Sequence, residues 1–131
     1  MKTGIGGKAI GALLMLTAGA ASAAGDKAAG EKVFTRCAAC HQVGPAAKAG
    51  FGPVLNGVVG AKAASSAGYA YSPAIKAAGL VWSAATLERF LTAPARLVPG
   101  TKMVFPGLAE ARDRMDVIAY LAQFDAKGRG K

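Results

Sequence analysis

Both cysteines and the only histidine of this 131-residue chain fall within five positions, in the stretch C-A-A-C-H from Cys37 to His41. Nothing else in the sequence restricts the fold as strongly, because the chemistry of this cluster must recruit the rest of the chain. Four readings compete. A Cys37–Cys40 disulfide suits an exported protein, yet it closes a very small loop and gives His41 no role. Structural zinc wants four ligands, and no second Cys or His pair follows. A thioredoxin-type thiol pair sits within a βαβ pattern, which the chain lacks. Covalent haem uses every residue of the cluster: Cys37 and Cys40 stand about one helical turn apart, within reach of one side of a porphyrin, and His41 offers its imidazole to the iron.

Export is itself legible. Lys2 and Lys8 precede the uncharged stretch Ala9 to Ala20, and Ala21-Ser22-Ala23 supplies small residues for a peptidase. That order predicts a secretory signal peptide over residues 1–24, cleaved after Ala23 or Ala24. The competing reading is a retained anchor, but the uncharged run from Ala9 to Gly25 is short for a span and rich in Gly and Ala. Loss of 24 residues leaves one domain of 107, residues 25–131, with 14 Lys and Arg against 7 acids. A net charge of +7 favours acidic surfaces. The basic residues are scattered, so nucleic acid is not the expected partner; an acidic protein or an anionic membrane surface fits better. So small a domain, full of Ala and Gly, buries little with its side chains. Something other than side chains is expected to fill the core.

The pattern along the chain is helical where it is regular. Asp26 can cap a first helix carrying Ala29, Val33, Phe34 and Cys37 on one face and running into the cluster. From Gly44 to Gly68 the sequence reads as successive turns. Ser72-Pro73 opens a short helix that Gly79 ends. Ser83 caps another, with Leu87, Phe90 and Leu91 on one face, stopping before Pro94. Prolines 94, 99 and 106 make the next segment a structured loop. A last helix from near Ala109 buries Val117, Ile118, Tyr120, Leu121 and Phe124, and residues 126–131 are expected to form a frayed basic end.

If His41 is one axial ligand, a second can be sought by elimination. Met1 and Met15 leave with the leader, and Met115 lies off the buried face of the last helix. Met103 sits in P-G-T-K-M-V-F-P-G, a loop stiffened by prolines and free of helical geometry. A lysine or an open site are the alternatives, and His/Met is the pairing of cytochromes c.

With these residues in view, the chain resembles the class I c-type cytochromes, and in loop lengths the soluble bacterial relatives of mitochondrial cytochrome c. The similarity runs from A-G-E-K-V-F-T-R-C-A-A-C-H through G-P-V-L-N-G, G-Y-A-Y-S, G-L-V-W, T-L-E-R-F-L and P-G-T-K-M-V-F-P-G to D-V-I-A-Y-L. It implies an all-α, small cytochrome c fold: three main helices plus short helices and loops around one haem c, covalent through Cys37 and Cys40. It implies axial ligation by His41 and Met103, with the Pro53 carbonyl accepting the other imidazole N–H. It also implies propionate contacts from Tyr71, Ser72 and Trp82, with Thr101 beside them, and packing of Gly30 and Phe34 on Tyr120 and Leu121.

The resemblance further implies a monomeric, periplasmic one-electron carrier rather than an enzyme, not integral to the membrane. It would shuttle between respiratory or photosynthetic partners that dock at the haem edge near Lys32, Arg36, Arg96 and Lys102. The other functions to weigh are a haem enzyme or gas sensor with an open sixth site, and a dedicated subunit of one dehydrogenase. Departures from the pattern stand out. Phe90, Ala61 and Ile75 replace a Tyr, an Arg and an Asn common near the haem, and Ala95, Ala109 and Glu110 occupy places often held by docking lysines.

Overall fold

The computed structural model describes residues 25–131, together with residues 1, 3, 4 and 6–13. The expected cleavage after Ala23 or Ala24 lies outside the described residues. Among those described, no helix is long and apolar enough to cross a membrane.

Among the described residues, five helices carry the fold. The first, α1 (Lys27–Phe34), starts where the Asp26 carboxylate accepts the Ala28 and Ala29 N–H groups at 2.8 and 3.1 Å, satisfying donors that a helix start leaves free. It does not run on into the cysteines. After Phe34 three-residue closures, Cys37 N–H to Phe34 O at 2.8 Å and Cys40 N–H to Cys37 O at 3.1 Å, alternate with four-residue ones, Ala38 N–H to Phe34 O at 3.0 Å and His41 N–H to Cys37 O at 2.9 Å. The Cys/His cluster therefore rides on turns that follow the helix.

Two short and two longer helices complete the set: α2 (Pro73–Ala77), α3 (Ala84–Thr92), α4 (Pro94–Leu97) and α5 (Ala111–Ala122). Ser72 and Ser83 cap α2 and α3 through their hydroxyls, as the sequence predicts. Thr92 ends α3 before Pro94, and Pro94 then opens α4, where its missing N–H costs nothing. The proline-rich segment thus holds one turn of helix before it becomes a loop. No strand forms among the described residues; isolated bridges join Lys62 to Val81 and Phe124 to Gly130.

The frame of the molecule is the crossing of α1 and α5. A Cβ on Gly30 would fall onto the Asp116 carbonyl and 2.8 Å from Tyr120 Cβ, so only glycine lets the two backbones come this close. Buried Asp116 accepts the Asp26 N–H at 2.8 Å and pairs with Arg112 at 3.3 Å. Arg114 ties α5 to α3 through Glu88 at 2.6 Å. It also donates to the Leu108 and Ala109 carbonyls at 2.6 and 3.1 Å, which fixes the exit of the Met103 loop.

The C-terminus corrects the sequence expectation. Residues 125–131 form an ordered turn: Asp125 Oδ1 accepts the Lys127 and Arg129 N–H groups at 2.8 and 2.9 Å, and Lys131 N–H returns to Gln123 O at 2.8 Å. Gly128, at φ +77°, lies so close to Gly44 and Asn56 that a side chain there would collide with both. The turn is thereby seated on the loop that follows His41.

Candidate functional site

Helices α3 and α5, the turn carrying the cysteines, and the loops at 51–72 and 101–105 enclose one cavity of about 810 Å³. For a domain this small that is a large space, consistent with a core completed by something other than side chains. Its walls include Leu55, Val58, Ile75, Leu87, Phe90 and Leu121. Every residue expected from the sequence to hold the haem lines this cavity: Cys37, Cys40, His41, Pro53, Tyr71, Ser72, Trp82, Thr101 and Met103.

His41 is buried, and its Nδ1 lies 2.8 Å from the Pro53 carbonyl. A carbonyl can only accept, so Nδ1 carries the proton and the lone pair is on Nε2. Burial pulls the imidazole below its ordinary pKa, with the Pro53 bond opposing, so the ring is held neutral. Gly52 explains how the ring is fixed. A Cβ there would stand 2.5 Å from His41 Cε1 and 2.7 Å from Nδ1, so the glycine backbone lies flat against the imidazole. Both cysteines are free thiols, and burial pushes the Cys37 thiol up, opposed by the Arg36 guanidinium.

In the same lining, Met103 is half-buried in the loop that leaves α4, its N–H donating to Thr101 Oγ1 at 3.3 Å. The other hydroxyls are likewise engaged as acceptors: Tyr71 takes the Ser66 N–H at 3.0 Å and Ser72 the Ile75 N–H at 3.2 Å. Each of the three therefore has its own O–H to offer a further acceptor, and Trp82 adds an indole N–H to the same lining. The lining carries Arg36, Lys62 and Lys102 and no carboxylate. Such a donor set suits an anionic group inside an otherwise apolar pocket.

A haem fits these residues: an apolar space of sufficient size, two thiols, a neutral imidazole and a thioether in one lining, and donors for propionates. The positions that depart from the resemblance are apolar walls here. Phe90 and Ile75 are buried, with the Phe90 ring 4.8 Å from that of Trp82.

Two of the expected docking cations are engaged within the molecule. Arg36 pairs with Asp113 at 3.3 Å. The Lys102 ammonium donates to the Ala70 carbonyl and sits 4.4 Å from the centroid of the Tyr69 ring. Lys32 and Arg96 are exposed. Sequence reasoning missed Gly52, Lys62 and the tethering of Lys102. The glycine-flanked Phe51 was the signal available for Gly52, and it reads only as a turn.

Comparison with known proteins places the chain. Residues 27–125 match the family model described as Cytochrome c. Cytochrome c2 of Rhodomicrobium vannielii is 57% identical over 113 residues, covering 86% of this chain and 90% of that protein. Cytochrome c-554 of Methylosinus trichosporium is 54% identical over 116 residues, 88% of each chain. Among solved structures, cytochrome cH from Methylobacterium extorquens superposes with a TM-score of 0.71 at 52% identity, covering 75% of this chain and 98% of that one.

Proposed function

Because the chain belongs to the cytochrome c family, we propose that it is a periplasmic one-electron shuttle whose haem is held by Cys37, Cys40, His41 and Met103. The family attaches one haem c covalently through C-x-x-C-H, and Cys37 and Cys40 are the only cysteines present. The protein is an electron-transfer protein, not an enzyme. The bound haem iron supplies an Fe(II)/Fe(III) couple, with a potential raised by a thioether ligand.

The protein's own residues account for the rest. Pro53 holds the His41 tautomer and orientation, leaving Nε2 as a ligand atom. Gly52 allows no rotation of the ring. The Met103 loop is anchored at one end by Thr101 and at the other by Arg114, so its thioether keeps one position in both oxidation states. Tyr71, Ser72, Trp82 and Thr101 donate to the propionates. His41 and Met103 would hold the iron between them and so would leave no site for a substrate. The leader over residues 1–24 directs residues 25–131 to the periplasm. There a monomer meets acidic redox proteins or membrane complexes, steered by Lys32 and Arg96, with Arg36 contributing partly.

The observation that carries this reading is the arrival of His41 and Met103, far apart in sequence, at one cavity shared with both cysteines. An optical spectrum of the ferric holoprotein tests it. The methionine–iron charge-transfer band is expected in the wild type and absent from Met103→Ala. Its persistence in that variant would remove Met103 from the ligand set.

A further inference from the structure

The imidazole of His41 is held at one end of a short ladder between two chain segments. His41 Nδ1 donates to the Pro53 carbonyl at 2.8 Å, and Leu55 N–H donates to Gln42 O at 3.1 Å. Gly44 and Asn56 then exchange two bonds: Gly44 N–H to Asn56 Oδ1 at 2.9 Å, and Asn56 Nδ2–H to Gly44 O at 2.8 Å. Neither segment belongs to a helix, so the ladder's rigidity depends on what closes its far end, at Gly44 and Asn56.

The last residues of the chain close it. Gly128 is buried against both partners: a Cβ there would overlap the Gly44 carbonyl and stand 2.6 Å from Asn56 Nδ2. One residue beyond Asn56, a Cβ on Gly57 would stand 3.0 Å from Ala126 Cα. Ala126 itself joins the cavity lining together with Leu55, Asn56 and Val58. The turn is held in shape by its own bonds. Asp125 Oδ1 accepts the Lys127 and Arg129 N–H groups, Asp125 N–H donates to Arg129 O at 2.8 Å, and Gly128 N–H to Asp125 O at 2.9 Å. No residue of 125–131 belongs to the apolar core. What these bonds keep in place is Gly128 on Gly44 and Asn56.

We infer that residues 125–131 are a clasp: seated on Gly44 and Asn56, they hold the ladder that orients His41 and keep water out of the haem cavity beside Leu55 and Val58. Asp125 and Gly128 are thereby positioning residues for electron transfer, acting through the ladder and not by contact with the haem. The inference rests on the reading above in which His41 is an iron ligand. Ligand orientation and exclusion of water both tune a haem's potential. Water admitted through an open clasp favours the more highly charged ferric state, so release lowers the potential.

The test uses the full holoprotein, with potentiometry and amide hydrogen exchange as readouts. Gly128→Ala changes no charge and puts a methyl group where none fits. Its potential is expected to fall below that of the wild type. Its Gly44 and Leu55 amides should exchange about tenfold faster relative to Ile118 inside α5, the factor that one or two lost hydrogen bonds give. Asp125→Ala and Asp125→Asn keep Gly128 and carry the comparison even if Gly128→Ala does not fold. Each removes one negative charge, which alone raises the potential. Asparagine keeps an oxygen for the Lys127 and Arg129 N–H groups and alanine does not. Asp125→Ala is therefore expected to lie below Asp125→Asn in potential and to show the faster exchange. An unchanged potential in Gly128→Ala overturns the clasp. So does a rise in Asp125→Ala equal to that in Asp125→Asn, which leaves charge as the whole effect. Equal acceleration at Gly44, Leu55 and Ile118 is general loosening and overturns it too. A wild type without the methionine–iron band overturns the proposed ligand set and not the clasp, which the exchange ratios then support or overturn by themselves.

Discussion

At Gly52 a single hydrogen atom decides the position of the His41 ring, the proposed iron ligand. With a methyl group 2.5 Å from His41 Cε1, either the imidazole or the 50–53 backbone must move, and both are pinned by the Pro53 bond. Gly52→Ala is therefore expected to lower holoprotein stability by about 1–3 kcal/mol, the usual cost of overpacking, read as a reduced melting temperature. It should also shift the reduction potential, which a substitution elsewhere in the 45–50 turns should not do. Gly52 shows why some of the site was hidden in the sequence. Cys37, Cys40 and His41 announce themselves because their chemistry depends on local spacing. Met103 could be proposed because the cluster lacks a ligand and few suppliers exist, and the fold brings it to the same cavity. Gly52 matters through a ring eleven positions earlier, and a glycine between Phe51 and Pro53 has an ordinary explanation as a turn.

Helices were legible by the same logic, at their starts above all. Asp26, Ser72 and Ser83 cap through residues two or three positions on, so their roles are written locally. Arg114 is the opposite case: on a helix otherwise read by its apolar face, its partners are Glu88 and the carbonyls of Leu108 and Ala109. Arg114→Met is expected to cost about 1–3 kcal/mol by leaving those acceptors without a donor. It should weaken the methionine–iron band before the global melting transition, because the Met103 loop loses its far anchor. The C-terminal turn was missed for a related reason. Its inner bonds are local, but it is ordered against Gly44 and Asn56, far back in the chain.

Asp125 makes that turn sensitive to acid. The Arg129 N–H, then the Lys127 N–H and the two side-chain cations, hold its carboxyl below the ordinary value of 3.8. With the folded pKa depressed, the unfolded chain binds more protons between the two values, so stability rises with pH there. The contribution is complete above the unfolded value and is lost as pH falls through the folded one. In thermal unfolding, Asp125→Asn should melt below the wild type at neutral pH, and the gap should close as the medium is acidified past the carboxylate range.

Charge is where the whole molecule differs from the sum of its helices. All seven acids lie in or beside α1, α3, α5 and the C-terminal turn, and the chain from Cys37 to Leu87 contains none. The lining of the haem cavity contains no carboxylate, although Asp113 stands 3.3 Å from the lining residue Arg36. From sequence alone, four cations look equivalent as steering charges: Lys32, Arg36, Arg96 and Lys102. All four are exposed, but the fold separates them: Arg36 faces Asp113 and Lys102 is tethered to Ala70 and Tyr69, whereas Lys32 and Arg96 have no ion pair among the described residues. Steering depends on charge that a partner can feel across solvent, and it is screened over roughly 8–10 Å at ordinary ionic strength. Lys32→Gln and Arg96→Gln should therefore each reduce the slope of log(kcat/KM) against the square root of ionic strength with an acidic protein oxidant. Arg36→Gln should have little effect, because it removes a cation and frees the Asp113 carboxylate together. Lys102→Gln separates the two uses of a lysine. If its ammonium serves the fold, the slope changes little while the methionine–iron band weakens as the 101–105 loop loosens from Ala70. A large change of slope with an intact band would instead make Lys102 a docking charge and its tether incidental.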